Sequence, residues 1–396
     1  MRALIAGAGI ISAIGQGVGQ TLTSLKSLDH GARFDQRYVS ASNILSPVAE
    51  VKYSNEELAA MAGAPENWPR TALLGMIATR EAVSGFPGLL EGTRSGLISA
   101  GTVGGMDRTE AFFREFRKNK QKGRLRDVVH HECGSVTELI AGGLGINTLV
   151  TTISTACSSS SNSISLASRL ISQGYLDVAL AGGADALTSF TFKGFNSLMI
   201  LDREHCKPFD ADRKGLNIGE GAAYLLLVSE KIARDLGIHA LGYVSGYGNA
   251  NDAFHQTASS PEGRGSYDAM SQALTKAGIE PDQVDYINLH GTGTMNNDAS
   301  EGKAIERLFG SKVPWISSTK QFTGHTLGAC GSVEAVISLL AIRHGLVFPN
   351  LNFIKPMEET PLVPVTSLLE NQEIHTVLSN SFGFGGFCSS LIITKN

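Results

Sequence analysis

The sequence predicts an α/β protein assembled from two similar halves. Three observations lead there. Apolar, β-branched runs alternate with helix-spaced apolar residues along the chain, the order of elements in the first half recurs in the second, and glycine-rich turns close the strands at matching places. In the first half, a helix over 71–84 precedes a strand over 96–100 and the turn Gly101-Thr102-Val103-Gly104-Gly105. A strand over 148–153 then leads into a turn containing Cys157, a helix running to Ile171, and a strand over 178–180 that ends in Ala181-Gly182-Gly183. In the second half, a helix over 267–277 precedes a strand over 284–289 and the turn His290-Gly291-Thr292-Gly293-Thr294. Trp315-Ile316-Ser317 leads into the turn 318–321, a helix with Val333, Val336, Ile337 and Leu340 follows, and a strand over 376–378 ends in Gly383-Phe384-Gly385-Gly386. The openings correspond as well, Ala3 to Gly7 against Ala240 to Val244, which puts the division near residue 240, with halves 1–239 and 240–396.

Composition narrows the classes of function. A net charge of −4 and a pI near 6.2 argue against a general nucleic-acid binder. The five cysteines are widely spaced, without a C-x-x-C pair, which suits reduced thiols and no disulfide frame. The cluster His130-His131-Glu132-Cys133 lacks a partner cluster at metal-ligand spacing, so no metal is expected. No apolar run reads as a membrane span, and Met1-Arg2-Ala3-Leu4-Ile5 enters a strand without a signal-peptide layout, so a cytoplasmic protein is expected. Gly7-Ala8-Gly9-Ile10-Ile11-Ser12 imitates a dinucleotide-binding turn after a strand, but serine holds the third glycine position.

The chemistry concentrates elsewhere. Cys157 lies in Ser154-Thr155-Ala156-Cys157-Ser158-Ser159, where a strand passes into a helix. Unpaired N–H groups and the positive end of a helix there favour thiolate over thiol. His290 opens a Gly/Thr turn at a strand end, and His325 stands in Thr323-Gly324-His325-Thr326 at the mouth of the second-half helix. If the halves match, both imidazoles reach the crevice that holds Cys157. Lys320, in the preceding turn, would tune the histidines electrostatically, with Glu334 as its charge partner. In the glycine-rich turn 382–387, a free N–H beside that of Cys157 could bind the oxyanion of a tetrahedral thioester intermediate, and Phe384 could gate an apolar pocket. The basic run Arg114, Arg117, Lys118, Lys120, Lys122, Arg124 and Arg126 reads either as a solvated helix face or as a dock for an acidic carrier domain.

At these residues the sequence resembles the β-ketoacyl-acyl carrier protein synthases of the elongating type, members of the thiolase superfamily. The ordered set is Thr155-Ala156-Cys157-Ser158-Ser159, Lys207-Pro208-Phe209-Asp210 with Arg213, Gly219-Glu220-Gly221-Ala222, Asp252-Ala253-Phe254-His255, His290 to Thr294, Ser318-Thr319-Lys320 with Gly324-His325, and Asn380 to Gly386. The resemblance implies a thiolase-like five-layered αβαβα sandwich, usually homodimeric. It implies that Cys157 takes an acyl group from the phosphopantetheine of acyl carrier protein. His290 and His325 would assist decarboxylation of the malonyl thioester, and the carbanion would attack the acyl-cysteine to give a 3-oxoacyl product. Lys320 with Glu334 would support the histidines, the N–H groups of Cys157 and Phe384 would form the oxyanion hole, and Thr292 and Thr294 would contact pantetheine. Val103, Phe195 and Phe384 would shape the acyl pocket, and no cofactor beyond the carrier's arm is implied.

Two departures stand out. Phe387-Cys388 replaces the Thr-Asn the family commonly carries after its final Gly-Gly, and the region between about Asp29 and Tyr53 is short and atypical. These leave open a fatty-acid pathway or a specialised acyl, polyene or polyketide one. Two other readings also stay open. One is a coenzyme A-dependent thiolase with Cys388 as its second cysteine; the other is a non-catalytic chain-length-factor subunit, which typically lacks the nucleophile.

Overall fold

The computed structural model describes residues 3–35 and 45–395; part of the atypical early region therefore lies outside the described residues. Among the described residues eleven strands form one sheet: β1 (Ala3–Ser12), β2 (Gly15–Gln16), β3 (Ser95–Ala100), β4 (Leu149–Ile153), β5 (Val178–Asp185), β6 (Gly221–Ser229), β7 (Gly242–Asn251), β8 (Tyr286–Asn288), β9 (Trp315–Ser317), β10 (Thr376–Phe382) and β11 (Phe387–Thr394). Their order is β4-β3-β5-β6-β1-β7-β11-β10-β8-β9, with β2 paired to β1 alone. Read outward from the middle, each half repeats one plan: β1, β6, β5, β3, β4 against β7, β11, β10, β8, β9. The halves join where β1 pairs with β7 in only three positions, Ala3 to Val244, Leu4 to Tyr243 and Ile5 to Gly242.

Two helices, Ser159–Ser172 and Cys330–His344, fill the space between the halves. The first packs on β3, β5 and β6, while the second touches β6 and β5 of one half and β10 and β11 of the other. Outside them, Arg70–Val83 covers β1 and β6, and Arg264–Ala277 covers β7 and β11. That is the five-layered αβαβα sandwich expected from the resemblance. The two-residue strand period shows why it holds. Ala223, Leu225 and Leu227 of β6 join the central core, whereas Ala222, Tyr224, Leu226 and Val228 join the outer one. Both faces are apolar because both are covered.

Two expectations need correction. The stretch Leu327–His344 is helical and apolar enough, by length and composition, to match a membrane span, contrary to the sequence reading; 89% of it is buried in the protein. A helix apolar on every side also suits the centre of a large sandwich. The glycines that imitate a dinucleotide turn lie inside β1. Their purpose is close packing: a Cβ at Gly7 would fall 2.1 Å from the Ala82 carbonyl oxygen and one at Gly9 2.0 Å from that of Ala78.

Gly9→Ala is therefore expected to push the helix 70–83 off β1 and to destabilise the fold by about 1–3 kcal/mol, the usual range for overpacking. Urea denaturation compared with wild type checks this, and an unchanged midpoint would contradict the packing account.

Candidate active site

Cys157 sits on a sharp bend between β4 and the helix that begins at Ser159. Ala156 takes a left-handed φ of 50°, which alanine adopts only when its surroundings impose it. Ser159 imposes it here: its Oγ accepts from the Thr155 N–H at 2.8 Å and donates to the Ala156 carbonyl at 2.6 Å. Close approach of the glycine-rich turn completes the bend, since a Cβ at Gly383 would fall 2.9 Å from the Cys157 nitrogen. The N–H groups of Phe384 and of Cys157 itself both bear on the sulfur. The sequence favoured a resting thiolate; the structure corrects this. Burial pushes the thiol up to about 11, outweighing Lys320 and the two N–H groups that favour the anion.

Both imidazoles arrive as the duplicated plan predicts. His325 Nε2 lies 3.1 Å from Cys157 Sγ, and the rings of His290 and His325 meet edge-on with centroids 5.4 Å apart. The Leu327 N–H donates to His325 Nδ1 at 3.3 Å, and Lys320 Nζ donates to His290 Nδ1 at 3.3 Å. With Nδ1 accepting in each ring, the neutral tautomer carries its proton on Nε2. Burial first, then Lys320, hold both histidines well below their ordinary pKa, with His325 adding to the effect on His290. Two neutral N–H donors result. The same tautomers oppose a metal at the Cys157, His290, His325 cluster, because Nε2 would have to lose its proton first.

Lys320 forms a buried ion pair with Glu334. Burial draws its pKa down, but Glu334, with Cys330 and Glu301, more than reverses this and keeps the ammonium charged, while burial pushes Glu334 itself up to about 7 against the pull of Lys320.

Sequence reasoning missed two acids that build the His290 turn. Glu301 accepts from the N–H groups of His290 and Gly291 at 2.9 and 2.8 Å, and Asp298 accepts from Thr292 at 3.1 Å. Their three-residue spacing on the helix after the turn places both on one face, a signal that was available. Also missed is Cys330, four residues before Glu334, whose thiol donates to the Cys157 carbonyl at 3.1 Å.

Two cavities meet at Cys157. One, of roughly 270 Å³, is lined by His290, His325, Thr292, Thr294 and Phe384. The other, of roughly 450 Å³ and more apolar, is lined by Val103, Met106, Phe195, Leu198 and Phe384. Phe384 and Phe195 stack with centroids 6.0 Å apart and border both. Thr292 and Thr294 thus line the first cavity, Val103 the second, and Phe195 and Phe384 both. The basic run lines neither cavity; Arg114 shares a surface cleft with Phe190 and Lys193, beside the outer end of the apolar cavity. Cys388 also lines neither. It is buried among Met270, Leu378 and Ile392, with its thiol pushed up to about 12 by burial, which removes it as a second active-site cysteine. His130 bonds to Ser135 and His131 to Thr109, and neither belongs to a ligand cluster among the described residues.

A buried thiol between an oxyanion hole and two imidazole donors can accept an acyl group and stabilise an enolate, the equipment of a covalent acyl-transfer enzyme. Comparison with known proteins agrees. Residues 70–233 match the family model "Beta-ketoacyl synthase, N-terminal domain", and 241–354 match "Beta-ketoacyl synthase, C-terminal domain". The chain belongs to the β-ketoacyl synthase family. It is 32% identical to 3-oxoacyl-[acyl-carrier-protein] synthase 2 of Staphylococcus aureus (strain MRSA252) over 100% of this chain and 98% of that one. It is 43% identical to the enzyme of the same name from Rhizobium meliloti (strain 1021), over 61% of this chain and 59% of that one. Among solved structures, "The ishigamide ketosynthase/chain length factor" superposes with a TM-score of 0.94 at 30% identity, covering 100% of this chain and 99% of that one.

With a thiol pushed up to about 11, alkylation of Cys157 by iodoacetamide is expected to rise about tenfold per pH unit from pH 7 to 9 with no plateau. Mass spectrometry of the modified peptide follows it; a plateau near neutrality would mean that the anion already predominates there.

Proposed function

We propose that this chain is a 3-oxoacyl-acyl carrier protein synthase, joining an enzyme-bound acyl group to a malonyl unit in a fatty-acid or related specialised acyl, polyene or polyketide pathway. The observation that carries the reading is Cys157 Sγ 3.1 Å from His325 Nε2 where two cavities meet. In the first stage Cys157 Sγ attacks the carbonyl of an acyl-carrier thioester. The carbonyl oxygen gathers charge between the N–H groups of Cys157 and Phe384, the bond to the pantetheine sulfur breaks, and the thiol proton ends on the departing arm. The acyl chain then lies in the apolar cavity beyond Phe384. In the second stage a malonyl thioester enters past Thr292 and Thr294. Its carboxylate leaves as carbon dioxide, and the electron pair passes to an enolate whose oxygen accepts from Nε2–H of His290 and His325. That carbon attacks the acyl thioester and Cys157 leaves as the thiolate. Lys320 and Glu334 keep a fixed charge behind His290 throughout. The substrates travel on the carrier's pantetheine, and the chemistry needs no further cofactor.

The carrier as partner is supported by the names of the full-length relatives. A homodimer is supported by the edge position of β4 and by the apolar cavity, which reaches the surface at Phe190, 67% exposed, and Leu198, 45% exposed. A reducing, cytoplasmic setting fits five free cysteines. The chain-length-factor reading is disfavoured by the intact Cys157, His290 and His325.

Cys157→Ala is expected to abolish acyl transfer, read as loss of the intact-mass shift after incubation with acyl-carrier thioesters; an acyl adduct on that variant would refute the assignment. His290→Ala and His325→Ala are expected to retain self-acylation while release of carbon dioxide from malonyl-carrier falls by about 100-fold or more. Normal release from both variants would contradict the roles given to the imidazoles.

A further inference from the structure

Asp185 ends β5 fully buried and lines neither cavity, yet four donors converge on its carboxylate. The Thr102 N–H and Val103 N–H reach Oδ1 at 2.8 and 3.0 Å, while the Thr102 hydroxyl and the Gly328 N–H reach Oδ2, each at 2.7 Å. Thr102, Val103, Leu327 and Gly328 are all walls of the apolar cavity. Leu327 and Gly328 also stand two and three residues after His325. Leu327 holds a left-handed φ of 55°, a conformation leucine resists, and it is pinned from two sides. Its own N–H donates to His325 Nδ1, and the next N–H, of Gly328, donates to Asp185. Glycine at 328 makes the approach possible, since a Cβ there would stand 2.8 Å from Asp185 Oδ2.

We infer that Asp185 is a positioning residue for both half-reactions: it clamps the strained 327–328 turn whose N–H fixes the His325 tautomer, and with the same carboxylate it holds the Thr102–Val103 wall of the acyl cavity. The inference deepens the function proposed above and rests on it. Only a carboxylate suits the position, because every group facing it is a donor. An amide nitrogen at either position would meet a backbone N–H, of Thr102 and Val103 on one side or of Gly328 on the other, and lose that contact even if the Thr102 hydroxyl turned to accept. Burial lifts the carboxyl to about 6, so it remains mainly ionised at neutral pH.

Asp185→Asn tests this in the full-length protein. The ¹⁵N shifts of the His325 ring, assigned by comparison with His325→Ala, are expected to leave the Nε2–H pattern of wild type for a mixture of tautomers. Decarboxylation of malonyl-carrier is expected to fall about tenfold or more in kcat with KM unchanged, and the chain-length preference of self-acylation is expected to shift. A folded variant that keeps the wild-type tautomer, kcat and chain-length preference would overturn the inference. Should Asp185→Asn fail to fold, Gly328→Ala crowds the same contact with the carboxylate intact. The same three changes in that variant support the inference, and their absence overturns it. Should wild type itself fail to decarboxylate malonyl-carrier, the functional reading fails while the ring shifts still decide whether Asp185 sets the tautomer.

Discussion

The site depends on how closely the two central helices cross. At Gly331 a Cβ would fall 2.1 Å from Ser161 Oγ, and the Ser332 N–H donates to Ser160 Oγ at 2.9 Å. Glycine on one helix and serines on the other let the backbones meet near their first turns, where unpaired N–H groups and positive dipole ends lie. Cys157 precedes one helix start and Cys330 begins the other, so the nucleophile lies between two positive ends. His325 enters just upstream of the second start, its backbone held by the first half: its N–H donates to the Asn217 carbonyl and its carbonyl accepts from Gly219. Catalysis across the two halves thus follows from two small side-chain types at one crossing.

Burial on this scale should penalise polar groups, yet many lie in the centre. Most of them serve the backbone. Glu301 and Asp298 take up the N–H groups of the His290 turn, and Asp185 those flanking the acyl cavity. One full ionic pair, Lys320 with Glu334, sits behind His290, and the result is an excess of donors facing the reacting atoms. Low dielectric makes such donors stronger than they would be in water, and it keeps the imidazoles neutral so that they donate without carrying charge. The price is a thiol that rests protonated. Its anion is stabilised by the same donors, but burial outweighs them.

Much of this was legible in the sequence. The duplicated order of elements depends on local apolar periodicity, so two packed α/β halves and the convergence of Cys157, His290 and His325 followed from it, while the five-layered sandwich was implied by the family resemblance. What could not be read were effects set by distance. The thiol's helix start suggests an anion, but its pKa depends on how deeply the bend is buried. Gly7 and Gly9 look like a phosphate cradle, and only the helix above them shows that they make room for packing. Asp185 carried no signal because its partners, at 102–103 and 328, are far away in the chain. The apolar stretch 327–344 has the composition of a membrane span; only the sandwich around it accounts for that.

At the Phe387-Cys388 replacement the glycine-rich turn is braced from outside itself. With no asparagine after Gly386, the turn takes its support from the end of β7: Asn251 Nδ2 donates to the Gly385 carbonyl at 3.0 Å, and the Asp252 N–H to that of Gly386 at 2.9 Å. A third tie runs from the Gly385 N–H to the Gln256 carbonyl at 2.7 Å. Phe387 lies against Gly385, where a Cβ would stand 2.9 Å from its ring, and Cys388 fills the core beneath. Phe384 is therefore held through the 251–256 loop, with its N–H beside the Cys157 sulfur. The turn can release the Phe195 stack only if its contacts with 251–256 yield or travel with it.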